Sequence, residues 1–581
     1  MKRLYANAYV VVMDDAGTEH PQGWVLTEDG FVVETGGGEE PEADERENLG
    51  GALVTPGLVN THHHLYQTLT RARAQQADLF TWLRTLYPVW ALVDEDAEYA
   101  AASTGLAELA LSGCSTVFDH HYLFPRGGGD LIRAEIEAAR SLGVRLVASR
   151  GSMDLGRSQG GLPPDEVVEK LDRIVEETKR VAGWHEEGPG AQIQIAVAPC
   201  SPFSVTQELM RVSADLARGI GLQLHTHLAE TVEEDEYCRE LYGCSPVEYL
   251  ESLGWLADDV WCAHCVHLSQ PEIDRFGATG TGVAHCPSSN LRLGAGVAPV
   301  RELLAAGVRV GLGVDGSASN ERGDLFLEVK QALLVARGRG GPEALTAREA
   351  LRLGTRGGAQ VLKRADVGSL EPGKCADLAV WRLDGLELAG ADDPVAGLVF
   401  SGPHRVDRLV IAGDDVVRER RLVRGDEEEI AREHRRVAAR FALWRSRPRE
   451  ASGWPGRGCR ARSGRRSNSG SGHRSRGRRQ DPAVSHPASR RDSSSRTADA
   501  CSRRPWGRSR TRTRRSSTAG KSRSLRRSLP RRRHPGSSSP WSTTAGSRSS
   551  SRTWTATSRS CRGAGTSSPG SSTPSPTSPK P

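Results

Sequence analysis

Short apolar runs alternate with amphipathic stretches along most of this 581-residue chain. The runs fall at residues 53–60, 115–119, 144–149, 192–199, 222–227, 260–264, 282–285 and 308–315. Their length and apolar content predict strands buried on both faces. Between them, residues 94–112, 131–142, 164–181, 206–218, 233–253, 270–276 and 300–306 carry helical patterning, and 325–336 come after the last run. Eight strands alternating with helices predict a parallel (β/α)8 barrel of the TIM type over residues 55–366. A doubly wound sheet is the competing arrangement, but no glycine-rich dinucleotide fingerprint follows the first strand.

The pattern differs at both ends. Residues 1–54 read as short strands and turns, among them 9–13 and 23–27. Similar patterning returns from residue 367, in Gly368-Ser-Leu-Glu-Pro-Gly-Lys-Cys-Ala-Asp377-Leu-Ala-Val-Trp and again at 406–411. Residues 1–54 and 367–425 are therefore expected to pair in one small composite β-sandwich domain built from both ends. An amphipathic helix over 426–445 closes this body.

Charge separates that body from the last stretch of the chain. Residues 451–581 hold about 31 Lys and Arg against about 3 Asp and Glu, whereas residues 1–450 hold about 47 against about 69. The net +6 of the whole chain therefore hides an acidic body, a poor match for a phosphate backbone, and a strongly basic tail. The tail is Ser, Arg, Thr, Pro and Gly with scarcely an aliphatic residue. It cannot bury enough apolar surface to offset chain entropy, so disorder is expected. It reads either as a basic arm for nucleic acid or membrane surfaces or as GC-rich DNA translated out of frame, and composition favours the second. No signal-peptide core and no run of about 18 apolar residues is present. The eleven cysteines are scattered, several beside predicted buried strands, which suits reduced thiols in a cytoplasmic protein.

Chemistry in such a barrel gathers where the strands end. His62 and His64 end the first strand and share one face of it, half of a typical zinc or iron site. The fifth strand ends in His225-Thr-His227-Leu-Ala-Glu230, the sixth in Ala263-His264-Cys-Val-His267, the seventh in His285-Cys-Pro-Ser-Ser-Asn290, and the eighth in Gly313-Val-Asp315-Gly. One such end is explained by core packing; five together point to a metal and acid–base site. His63, His225 and His267 read as structural, and His120 and His121 as equally able to line a pocket. Cys262-Ala-His-Cys265 reads as buried thiols rather than a redox pair.

These elements, with Pro56-Gly-Leu-Val-Asn-Thr-His62-His-His64 and the Gly368–Leu378 segment, resemble the mononuclear-zinc aminohydrolase branch of the amidohydrolase superfamily. The likeness runs from residue 1 to about 445. It implies one divalent metal, zinc with Fe²⁺ as the alternative, held by His62, His64, His227 and Asp315. It implies Glu230 as general acid and base, with His264 orienting the metal-bound water or polarising the reacting carbon. Asp315 would serve as ligand, as base, or as both. The implied reaction is attack of hydroxide on an amidine-type ring carbon with loss of ammonia.

Substrate contacts are read from the same likeness. Gln67 stands where guanine deaminases carry a glutamine that contacts the purine, and an amide can both donate to and accept from a lactam edge. The arginine those enzymes carry after the fourth strand is replaced here by Ala198-Pro-Cys200-Ser-Pro-Phe203. That turn, the segment after His64 and a loop containing Trp82 and Tyr87 most resemble the 8-oxoguanine deaminase subgroup, which lies near the hydroxytriazine aminohydrolases. Expected contacts are Gln67, Trp82, Cys200 and His264. The expected partner is a purine or triazine, in a homo-oligomer, with 8-oxoguanine converted to urate and ammonia. Guanine or other aminopurine deamination, triazine hydrolysis, and nucleic-acid binding through the tail are the alternatives.

Overall fold

The computed structural model describes residues 1–442, so the expectations for the tail and for the last residues of the closing helix lie outside the described residues. Four strands open the chain: β1 (Lys2–Val11), β2 (Glu19–Glu28), β3 (Phe31–Gly37) and β4 (Glu45–Pro56). The run at 53–60, expected as one strand, is divided at Gly57. Its first part ends β4 and its second is β5 (Leu58–Asn60). The Gly57 amide donates to the Asp377 carbonyl at 2.9 Å. A Cβ at this position would lie 2.5 Å from Ser115 Oγ, so the crossing between the two sheets is closed to any side chain.

The barrel continues with β6 (Cys114–Asp119), β7 (Arg145–Ser152), β8 (Ile193–Pro199), β9 (Gln223–Leu228), β10 (Val260–His264), β11 (Gly282–His285) and β12 (Val310–Leu312). These pair in parallel with β5 and close into an eight-stranded barrel, sealed where Leu312 of β12 faces Asn60 of β5. Val59, Phe118, Val147, Ala196, Trp261 and Ala284 form part of one buried apolar cluster drawn from six of these strands. Branched and aromatic side chains on the alternating inward positions fill the barrel there, below the strand ends that carry the polar groups.

β13 (Leu378–Trp381), β14 (Arg408–Ile411), β15 (Asp414–Arg418) and β16 (Arg421–Leu422) come from the other side of the barrel sequence. They join β1–β4 in one eight-stranded sheet, ordered β16-β15-β14-β13-β4-β1-β2-β3. The seam between the two ends is the antiparallel pairing of β13 with β4, with Leu378 opposite Pro56.

Helices depart from expectation in several places; the one expected over 164–181 begins only at Leu171. The stretch at 233–253 is two helices, Val232–Tyr242 and Pro246–Ser252. Gly243 ends the first with φ 73°, and Ser245 opens the second in a capping box followed by proline. The segment expected as a loop after the first barrel strand is a helix, Leu79–Trp90, capped by Asp78, which accepts from the Thr81 amide at 2.8 Å. Its aromatic residues and internal Pro88 obscure the helical period in the sequence. Among the described residues no helix is long and apolar enough to cross a membrane, and all eight cysteines are unpaired.

A buried ion pair ties the barrel to the composite sheet. Arg145 at the start of β7 donates through Nε and Nη2 to Asp377 at 2.9 and 3.1 Å, and both side chains are 2% exposed. Asp377 also accepts from the Ala412 amide at 2.8 Å. Removing the carboxylate strands a buried guanidinium. Asp377→Ala is expected to destabilise the protein by about 3–5 kcal/mol, read as a lowered Tm and denaturant midpoint. An unchanged midpoint would show that the pair does not join the two parts.

Candidate metal centre

Four side chains from three distant stretches of sequence converge above the apolar barrel cluster. His62 and His64 lie just after β5, His227 lies near the end of β9, and Asp315 lies just beyond β12. His62 Nε2 and His64 Nε2 lie 3.4 and 3.3 Å from Asp315 Oδ1, and His64 Nε2 lies 3.2 Å from His227 Nε2. Donors bound at about 2.0–2.2 Å to one tetrahedral zinc stand about 3.3–3.5 Å apart. The observed separations match that spacing.

Which nitrogen of each ring points inward is decided from behind. His64 Nδ1 lies 2.7 Å from the His120 carbonyl, and His227 Nδ1 lies 2.6 Å from the Cys200 carbonyl. A carbonyl only accepts, so each Nδ1 carries the proton and each Nε2 presents a lone pair. His62 is set at one remove. His225 Nδ1 donates to the Trp261 carbonyl at 2.9 Å, which leaves His225 Nε2 to accept from His62 Nδ1 at 2.9 Å. His62 Nε2 is buried with no hydrogen-bond partner. The ligand nitrogens of His62, His64, His120 and His227 lie within 4.8 Å of one another, and Asp315 groups in the same way with His62 and His264, donor sets of a kind that fits a divalent cation.

Electrostatics agree. Burial, then the neighbouring imidazoles, hold His64 and His227 well below the ordinary histidine value, so both are neutral. Burial opposes ionisation of Asp315, but His62, His264 and His64 hold its carboxyl well below the usual carboxylate range. Its Oδ2 accepts from Ser289 Oγ at 2.5 Å and Ser319 Oγ at 3.2 Å.

Glu230 and His264 complete the site. His264 Nδ1 donates to Asn290 Oδ1 at 2.9 Å, which points Nε2 at Glu230 Oε2, 3.6 Å away, and at Asp315 Oδ2, 4.0 Å away. Burial pushes the Glu230 carboxyl up to about 7. The backbone that carries it bends through Ala229 at φ 51°, where Glu234 accepts from the Ala229 and Glu230 amides at 2.9 and 3.0 Å.

A narrow cavity opens onto these groups. Gln67, Trp82 and Cys200 all line it. Trp82 is held by donation from Nε1 to the Ala318 carbonyl at 3.2 Å, and burial pushes the Cys200 thiol up to about 12, leaving it neutral. Neither His120 nor His121 lines the cavity; Tyr122 does, with Ser201, Phe203 and Leu293. Sequence reasoning missed these, because nothing in their spacing separates them from core residues. His225, which shares a face with His227 but lies a residue pair deeper, reads from the sequence as core packing, and the structure adds its bond to His62. His63 is buried and accepts from the His64 amide through Nδ1 at 2.7 Å.

A second buried group, Glu98, His121 and Glu135, has a different geometry. His121 Nδ1 lies 2.7 Å from Glu135 Oε1 and 3.7 Å from Glu98 Oε2, closer to Glu135 than two donors on one tetrahedral ion stand, and none of these atoms has a hydrogen-bond partner.

Against known protein families, residues 53–416 match the model of the amidohydrolase family. The chain is 48% identical over 397 residues to 8-oxoguanine deaminase of Pseudomonas aeruginosa, covering 67% of this chain and 88% of that protein. It is 38% identical over 460 residues to hydroxydechloroatrazine ethylaminohydrolase of a Pseudomonas species, covering 74% and 93%. Among solved structures, atrazine chlorohydrolase of Arthrobacter aurescens complexed with zinc superposes with a TM-score of 0.71 at 35% identity, over 75% of this chain and 100% of that one.

His225 holds His62 without itself facing the cation position, so it tests the tautomer chain without removing a ligand. His225→Phe is expected to weaken zinc binding about 10- to 100-fold, measured by competition with a chromophoric chelator. Unchanged affinity would show that His62 does not depend on it.

Proposed function

We propose that this chain, which belongs to the amidohydrolase family, is a zinc-dependent aminohydrolase that converts 8-oxoguanine and water to urate and ammonia. The reaction class rests on one observation: the buried Glu230 carboxyl, pushed up to about 7, lies 3.6 Å from His264, which is grouped with His62 and Asp315 beside the cluster of His62, His64, His120 and His227. The choice of ring rests on the 48% identity to 8-oxoguanine deaminase and on the cavity. Apart from Glu230, Asp315 and the histidines, its lining carries no charged side chain. A lining of this kind suits a flat, neutral free base.

Zinc held by His62, His64, His227 and Asp315 supplies, when bound, the Lewis acidity that makes water a nucleophile near neutral pH. Glu230 takes the proton that water loses as it attacks the ring carbon bearing the amine. It passes that proton to the adjacent ring nitrogen, then takes the remaining proton from the added oxygen and gives it to the amine, so the carbon–nitrogen bond breaks, ammonia leaves and a carbonyl remains. His264, fixed by Asn290, stabilises the charge that develops between Glu230 and Asp315. Gln67 reads the lactam edge of the ring through its amide. Leu79, Trp82, Leu83, Phe203 and Leu293 form the apolar wall that keeps bulk water from the reacting carbon.

The first test is a panel of aminopurines, pterins and hydroxytriazines given to the zinc-loaded protein. Ammonia release fastest from 8-oxoguanine is expected. Amine release from a hydroxytriazine, with none from 8-oxoguanine, would replace the substrate. Glu230→Gln should keep its zinc and lose at least about 10²-fold in kcat; wild-type turnover would remove Glu230 from the chemistry.

The pH profile depends on the same group. Glu230 must begin ionised, and burial raises its pKa, so kcat/KM should fall as pH drops through a limb well above the ordinary glutamate value of about 4.3. A rate that stays flat down to about pH 5 would contradict this.

A further inference from the structure

Gly316 comes directly after Asp315, yet its backbone is not among those with the positive φ that favours glycine. The conformation would accept an L side chain. The obstacle is one residue. A Cβ at position 316 would lie 2.0 Å from Gln67 Oε1, 2.3 Å from its Cδ and 3.0 Å from its Cγ, and these three are its nearest neighbours. The amide of Gln67 therefore occupies the space that a side chain at 316 would take.

Gln67 has little other freedom. It sits in the short turn Leu65–Thr70, whose first amide, from Leu65, donates to Asp119 Oδ1 at 2.7 Å. The backbone amide of Gln67 donates to the His64 carbonyl at 3.0 Å. The side chain is 1% exposed, lines the cavity beside Asp315 and Ser319, and its Oε1 is buried with no hydrogen-bond partner. A buried acceptor without a donor is costly, and a ring N–H or exocyclic amine entering the cavity would satisfy it.

We propose that Gly316 is a positioning residue for substrate selection: its bare Cα lets the Gln67 carbonyl oxygen lie against the loop after β12, where it meets N–H donors of the bound ring. This rests on the reading of Gln67 as a substrate contact. A side chain at 316 pushes the flexible end of Gln67 aside and leaves the backbone in place. Residue 316 thus tunes which ring edge is accepted without touching the ring.

The test is a double-mutant cycle with the zinc-loaded full chain: wild type, Gly316→Ala, Gln67→Ala and both together. The base used is whichever panel member the wild type hydrolyses fastest, so a failure of 8-oxoguanine as substrate is seen separately in the wild type. Each single change is expected to raise KM by about tenfold with kcat little altered and zinc content unchanged. The double variant should be no worse than Gln67→Ala alone. Losses that multiply in the double variant, an unchanged KM in Gly316→Ala, or loss of zinc from Gly316→Ala would overturn the proposal. A crystal structure of Gly316→Ala decides the same point without any substrate: a displaced Gln67 amide supports it, and an amide left in place overturns it.

Discussion

A proton held on the far nitrogen of three imidazoles is the constraint on which this site depends. The carbonyls of His120 and Cys200, and the Trp261 carbonyl acting through His225, each accept that proton. The near nitrogens are left bare and face each other and Asp315 at the floor of the cavity. Without a cation such an arrangement is repulsive; with one it is satisfied. The carbonyls belong to barrel strands or to the residues just past them, so the ring orientations are a consequence of the barrel itself.

The strand ends carry the strain of that precision. Ala229, His264 and Asp315 all take positive φ, at 51°, 73° and 62°, a conformation costing about 1–3 kcal/mol for a residue with a side chain. Neighbouring carboxylates hold the bends. Glu234 accepts the two amides around Ala229, and Glu328 accepts from Ser288 N at 3.1 Å and from Asn320 Nδ2 at 2.9 Å, with Asn320 also donating to the Val314 carbonyl. These bends lie at or beside residues that line the cavity, and buried carboxylates one layer out hold the backbone at Ala229 and near Asp315. The apolar barrel cluster below and the Arg145–Asp377 pair beside it give that layer something rigid to rest on.

Much of this was legible in the sequence because periodicity and barrel geometry act together. Eight apolar runs predict eight strands, the rule that chemistry sits at their ends narrows the candidates to five strand ends, and the resemblance to the amidohydrolase superfamily picks His62, His64, His227, Glu230, His264 and Asp315 from them. The features that were not legible depend on contacts between segments far apart. The division of residues 53–60 between two sheets is set by Gly57 meeting Ser115 and Asp377. The helix carrying Trp82 is hidden by its proline and aromatics. His225 looked like packing because its partner, His62, lies 163 positions away. Tyr122, Ser201 and Leu293 carry no local mark of a cavity wall, and the reason for glycine at 316 exists only once Gln67 is placed.

The most direct measurement is anomalous diffraction at the zinc absorption edge from crystals of the purified protein. A single strong peak is expected among His62 Nε2, His64 Nε2, His227 Nε2 and Asp315 Oδ1, within about 2.0–2.2 Å of each. No peak there, or a peak instead among Glu98, His121 and Glu135, would contradict this assignment.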